Sequence, residues 1–332
     1  MAVVRGAVLR SRAGAGGRLA AVLAMTVSLL VSPVVVGSAT AATSPPGPPG
    51  ATAPPRRPVP PLPASYVSVS VSPRSGSVVG VAYPITARFS SPVANRALAE
   101  RHMPVFVNGV FSRGAWYWKD ARTAVFRTAG FWPGHARIQV RLALGGVQLA
   151  SSSTYRFLGA PSATRGYSLT TARALVAYIN GITDRMLVKV DGRVVKVFKV
   201  SLGRKGDETR SGIKAVMEKY VLRHMTSVAA GITDPRDQYD LQVPYAVRIT
   251  PTGEFVHGAP WATRRIGVYN GSHGCTNLFV PDAHWFFDHV VPGDAVVTTG
   301  TGRAMEYWNG IGAPYNMPWQ QWLSRSALKG RP

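Results

Sequence analysis

From Tyr66 onward the chain is cut into short alternating runs, and that punctuation leaves little room for anything but sheet. "YVSVSVS", "YPITARFS", "MPVFVNG", "AWYWKD", "TAVFRT", "ARIQVRLAL" and "STYRFLG" succeed one another up to Leu158, with Gly, Pro, Asn and Ser between them. A period of two places apolar side chains on one face of a strand, and runs this short cannot lay down a helical stripe. Short strands separated by turn residues are the pattern of a β-sandwich. Trp116, Trp118, Phe126, Phe131 and Trp132 are expected to fill its core; the competing use for such aromatics is a sugar-binding face. "SPVANRALAE" reads as an excursion between strands with one helical turn.

"APSATRG", at 160–166, reads as a joint, and a second β-rich domain follows to about Thr299. "RMLVKVDGRVVKVFKVSLG" is expected to be a hairpin turning at Asp191-Gly192, because that pair accepts the positive φ of a tight turn. "YAVRITPTGEFVHG" is expected to be a second, turning at Pro251-Thr252-Gly253. "SGIKAVMEKYVLRHM" is read as strands, since Gly212 and the valines interrupt any helix, whereas "TARALVAYING" is compatible with a short helix. "PDAHWFFDHVV" is the clearest helix, with Pro281 and Asp282 suited to a first turn. "GDAVVTTG" closes the domain as a strand. Beyond it, Trp308, Trp319 and Trp322 are too many large apolar side chains for a free tail, so residues 301–332 are expected to pack back on the body.

The N-terminus has the order of an export signal. Arg5, Arg10, Arg12 and Arg18 precede the apolar "LAAVLAMTVSLLVSPVVVG", and Ala39-Thr40-Ala41 fits cleavage by small residues, giving a signal over 1–41. The same run is about long enough to stay as an uncleaved membrane anchor. Residues 42–65 are Pro-rich and are read as a semi-rigid spacer. Without the four arginines of the signal, 34 basic residues face 15 acidic ones, a charge of +19. Outside a cell the anions that such a charge attracts are wall polymers and lipid headgroups. The chain has no zinc-finger spacing, basic helix or basic-aromatic platform, which argues against nucleic acid.

Cys275 is the only cysteine among 332 residues, so it has no intramolecular disulfide partner. It sits in "NGSHGCTNLF", where Gly271 and Gly274 let backbone and ligand approach closely. His273 is two positions away and on the same side of an extended segment, able to take the thiol proton or to hold a thiolate as an ion pair. N–H groups of the glycine turn would face an oxyanion. His257 ends the "GEFVHG" strand, again beside a glycine; Tyr239 offers a hydroxyl, Asn277 an amide and Trp261 a pocket wall. For each of these the plain alternative is a core or turn residue. Cys275 with His257 and His273 would also make a Cys-His₂ metal set, but no C-x-x-C or carboxylate pattern supports it, and no metal or other cofactor is expected.

"FVHGAPW", "NGSHGCTN" and "AHWFFDHVVPGDAVVTTG" together resemble the catalytic domain of actinobacterial L,D-transpeptidases, the YkuD-like family. "YPITARFSSPVANRALAE", "GAWYWKD", "VFRTAGFWPG" and "STYRFLG" resemble the immunoglobulin-like domain that precedes it there. The resemblance implies a mainly β chain: an immunoglobulin-like β-sandwich over 66–160, a β-rich catalytic domain over 165–300, then the Trp-rich tail. It implies a cysteine acyl-enzyme that releases D-alanine from a tetrapeptide stem of peptidoglycan. A second stem is the acceptor, giving a 3→3 crosslink between diaminopimelate residues. Cys275 is then the nucleophile, His273 the base, Gly274 part of the oxyanion backbone and His257 a pocket residue. Tyr239, Met225 of the flap, Trp261, Gly258, Ser272 and Asn277 would contact substrate. Thr276, Phe279 and Thr226 depart from the family's usual residues and bear on flap anchoring and acceptor preference. Carbapenems are the covalent inhibitors the family implies. An L,D-carboxypeptidase, with water as acceptor, and a wall-binding protein without activity are the alternatives.

Overall fold

The computed structural model of the chain describes residues 60–229, 231–329 and 331. The expected export signal, 1–41, and residues 42–59 of the spacer lie outside the described residues. The first strand, Ala64–Val67, begins two residues before the expected start and runs parallel to Arg156–Gly159.

The sandwich is built from the alternating runs. Val69–Ser72, Ile85–Phe89, Thr123–Arg127 and Ala115–Trp118 form one sheet in that spatial order. The facing sheet centres on Arg137–Ala143, in which every second residue, Ile138, Val140 and Leu142, is buried. Trp116, Trp118, Phe126 and Trp132 are buried in the core between them, with Phe131 partly covered at its margin. These rings are therefore core and not a sugar-binding face. Each buried indole finds an acceptor: Trp116 donates to the Met103 carbonyl at 3.0 Å, Trp118 to Glu100 at 2.8 Å and Trp132 to the Tyr83 carbonyl at 2.8 Å. A buried ring without such a partner would lose much of what its burial contributes. The excursion forms a one-and-a-half-turn helix, Arg96–Arg101, capped by Asn95.

The joint expected at 160–166 is not a break in the sheet. Thr164–Thr171 pairs antiparallel with Arg137–Ala143, so residues assigned by sequence to the second domain complete the sandwich. "LVAYIN" is also a strand, Leu175–Asn180, and not a helix. It lies between the antiparallel Arg185–Val190 and the parallel Ala295–Thr299, and that position overrides a weak helical preference.

The second half has two sheets. Six strands run in the order Arg193–Lys199, Arg185–Val190, Leu175–Asn180, Ala295–Thr299, Arg210–Ala215 and Arg303–Ala304. Four more run Glu218–Thr226, Asp240–Arg248, Phe255–Gly258 and Thr276–Leu278. Both expected hairpins are present; Asp191 and Gly192 take φ of 48° and 83°, and Gly253 takes 101°. The expected helix is Val280–His289 and packs on the second sheet through Ala283 and Phe286.

The tail folds back on the sandwich. Trp322 is buried against Tyr117 and Val125, with Trp308 and Trp319 beside it. Buried Arg127 lies with its guanidinium 4.5 Å from the Trp322 ring and donates to the Met317 carbonyl. Burial lowers that guanidinium to about 10, so it is still charged at neutral pH. Glu100 takes Ser326 Oγ and the backbone N–H groups of Ala327 and Leu328. Trp322→Ala is expected to cost about 3–5 kcal/mol, the usual scale for emptying a buried aromatic site. Denaturant unfolding measures it, and a cost below about 1 kcal/mol would mean that the tail packs without bearing load.

Candidate active site

The segment around Cys275 is laced at both ends. Gly271 N–H and Ser272 N–H donate to the Leu202 carbonyl at 2.9 and 3.0 Å, and Arg204 N–H donates to the Ser272 carbonyl at 2.9 Å. Beyond the cysteine, Asn277 and Ser201 exchange two backbone bonds, at 2.8 and 3.1 Å. Between these anchors the Ser272 hydroxyl accepts from Gly274 N–H at 3.1 Å and donates to the Cys275 carbonyl at 2.7 Å. The turn needs glycine at 274, where φ is +112°, a value that L side chains rarely adopt. The Gly274 carbonyl accepts from Thr209 Oγ1 at 2.8 Å. A flexible loop would present the thiol over a wide range of positions; this one is fixed on every side.

Parallel pairing of Phe255–Gly258 with Thr276–Leu278 sets His257 directly beside Asn277. A cleft of about 200 Å³ opens there, lined by Met225, Tyr239, Leu241, Val243, His257, Trp261, Arg265, Gly271, Ser272, His273, Cys275 and Asn277. Met225 and Tyr239 come from the long hairpin Glu218–Thr226 and Asp240–Arg248 and the loop between its strands. The Tyr239 ring lies 5.4 Å from that of His273, and Trp261 lies 6.0 Å from His257.

The two histidines are electrostatically different. His257 is buried, and burial lowers its imidazole to about 4. Its Nδ1 is 2.8 Å from the Gly258 carbonyl, which only accepts, so the neutral ring carries its proton there and turns a lone pair outward at Nε2. His273 is partly exposed and its Nε2 is 3.8 Å from Asp237. Arg204 forks onto Asp237, and those hydrogen bonds hold the carboxyl below its usual range. Cys275 is half-buried and packs against the cluster of Val243, Ala246 and Phe255. Burial pushes its thiol up to about 11, against the pull of the Phe255 N–H; water entering the cleft opposes the rise. Its sulfur stands 3.7 Å from the Gly253 carbonyl. A neutral thiol at pH 7 needs a base when it reacts, which favours proton transfer over a standing ion pair.

Eight of the ten expected site residues line this one cleft. Gly274 and Gly258 do not; they shape the backbone next to it, and the Gly274 N–H already serves Ser272. Arg265, whose Nη1 holds the Gly271 carbonyl at 2.7 Å, was not legible, because nothing in "WATRRIG" says where that side chain reaches. Nor was Asp237, which lies in a loop 36 residues before His273 and meets it only through folding. Although Cys275, His257 and His273 share the cleft, no group of three His, Cys, Asp or Glu side chains among the described residues is placed to hold a metal ion.

A thiol fixed on a glycine turn, with imidazoles across a narrow cleft, is equipment for acyl transfer through sulfur. A family model described as the L,D-transpeptidase catalytic domain, YkuD, matches residues 175–298, and a bacterial Ig domain model matches 61–148. L,D-transpeptidase 1 of Mycobacterium tuberculosis is 32% identical over 243 residues, 73% of this chain and 88% of that one. L,D-transpeptidase 2 of the same species is 32% identical over 267 residues, 80% of this chain; the chain spans 64% of that relative, just under two thirds. The solved LD transpeptidase LdtMt1 in complex with imipenem superposes with a TM-score of 0.58 at 30% identity, over 72% of this chain and 100% of that one. The chain belongs to the L,D-transpeptidase family.

Proposed function

We propose that the protein joins two peptidoglycan stems by a 3→3 crosslink. The observation that carries the reading is the convergence of Cys275, His273, His257, Tyr239, Met225, Trp261, Ser272 and Asn277 on one cleft. Cys275 attacks the carbonyl at the L-centre of diaminopimelate in a donor tetrapeptide stem. His273, whose Nε2 is 3.8 Å from the Asp237 carboxylate, takes the thiol proton. D-alanine leaves with a proton returned from His273. The side-chain amine of an acceptor stem then attacks the thioester, passes its proton to His273 and frees the thiol. His257, neutral with Nε2 unprotonated, and Asn277 position the stem, while Tyr239, Met225 and Trp261 close over it. The reaction takes place outside the cytoplasmic membrane, where its substrate lies. The charge of +19 draws the protein to anionic wall polymers. No helix among the described residues is long and apolar enough to cross a membrane.

Tetrapeptide stems incubated with the protein test the reading by mass. D-alanine release with a crosslinked dimer is the expected product. Release with only tripeptide would make it an L,D-carboxypeptidase, and neither product would leave a wall-binding protein. Imipenem is expected to acylate Cys275 once, since its strained carbonyl offers a thiolate the same electrophile as the stem. Intact mass after incubation reports it, and an unchanged mass would remove carbapenems from the ligands of this cleft.

A further inference from the structure

Lys214 is 0% exposed and Glu254 is 3% exposed, and neither belongs to the cleft lining. A fully buried ammonium costs several kcal/mol unless something close by rewards it. Its Nζ stands 2.9 Å from Glu254 Oε2 and 3.3 Å from Thr298 Oγ1. Glu254 Oε1 accepts from Arg210 N–H at 2.9 Å and from Arg210 Nη1 at 3.0 Å. Arg210 is in turn held from the outer side by Glu306, at 2.8 Å. The four charges sum to zero, and the inner pair, Lys214 and Glu254, is the one shut away from water.

This pair lies under the reacting cysteine. Glu254 directly follows Gly253, whose carbonyl is 3.7 Å from the Cys275 sulfur. Its Cγ is 4.0 Å from where a Cβ on Gly274 would stand. Thr209, next to Arg210 on the edge of the same strand, holds the Gly274 carbonyl. The strand Arg210–Ala215 thus carries the cation, and Thr209, the residue just before it, grips the cysteine's neighbour.

We propose that Lys214 and Glu254 are positioning residues that set the thiolate content of Cys275 by opposing charges from beneath it. The ammonium favours the thiolate and the carboxylate disfavours it, in keeping with the sense in which each acts on the thiol. Burial lowers the Lys214 ammonium, and both Glu254 and the cysteine work against that. The other charged or titratable groups around the sulfur are Arg210 from the same strand, His257 from Phe255–Gly258, Tyr239 from the hairpin loop, and His273 with Asp237 across the cleft. Those on the cleft side meet water and substrate; Lys214 and Glu254 do not, so their field reaches the thiol little screened.

The proposal rests on Cys275 being the nucleophile, and its test reads the thiol and not the transferase reaction. The rate of alkylation by iodoacetamide is followed against pH in the wild type, Lys214→Met, Glu254→Gln and the double variant. Lys214→Met is expected to raise the apparent thiol pKa by about one unit, and Glu254→Gln to lower it by a similar amount. The double variant is expected to return near the wild type, which also covers the case in which Lys214→Met alone leaves Glu254 too costly to bury. Shifts of one sign in both single variants, or no shift in either, would overturn it. Dimer formation from tetrapeptide stems, measured in parallel, separates this outcome from a failure of the transpeptidase reading.

Discussion

Cys275→Ser is expected to remove transfer altogether, by roughly 10⁴-fold or more, and to leave the protein folded with its cleft intact. The substitution exchanges one atom in a site held by Ser272, Thr209 and the Leu202 carbonyl, none of which bonds to the sulfur. What changes is acidity. The thiol is already pushed up to about 11 by burial, so little of it is thiolate at pH 7. A hydroxyl in the same place is harder still to deprotonate and less nucleophilic once it is. Intact mass with imipenem and dimer yield with tetrapeptide stems should both fall to nothing. Residual crosslinking by the serine variant would mean that another group attacks the stem.

His273→Ala is expected to lower transfer by roughly 10²-fold or more, the scale of lost general acid–base help. Because the thiol rests neutral, the variant would depend on hydroxide, and its rate should climb with pH across a range in which the wild type is level. His257→Ala should cost less, through lost positioning. The pH profile decides between the two. His257 is lowered to about 4, so an acid limb near pH 4 in the wild type would assign the base to His257 and exchange the roles of the two histidines. Asp237→Asn offers a milder check in the same assay. It keeps the shape of the Arg204 contact but removes the negative charge 3.8 Å from His273, and should reduce transfer without abolishing it.

What the sequence determined by itself is what depends on neighbours in the chain. Period-two runs with Gly, Pro and Asn between them specify strands and turns, and Asp191-Gly192 and Pro251-Thr252-Gly253 both turn hairpins. Glycine at 271 and 274 around Ser272, His273 and Cys275 specifies an accessible, sharply bent thiol segment, because only glycine tolerates the φ of +112° found at 274. Tyr239 and Trp261 are candidates on their chemistry and Met225 through the family resemblance, and all three line the same cleft. The tertiary structure alone decided what depends on partners distant in sequence. "LVAYIN" became a strand because two other strands flank it, and Thr164–Thr171 joined the sandwich because Arg137–Ala143 leaves an open edge there. Lys214 is buried against Glu254, 40 positions away, only through folding, and Asp237 comes to His273 beside Arg204 in the same way. A side chain's charge is written in the sequence, but the dielectric around it and the charges facing it exist only once the chain has closed over them.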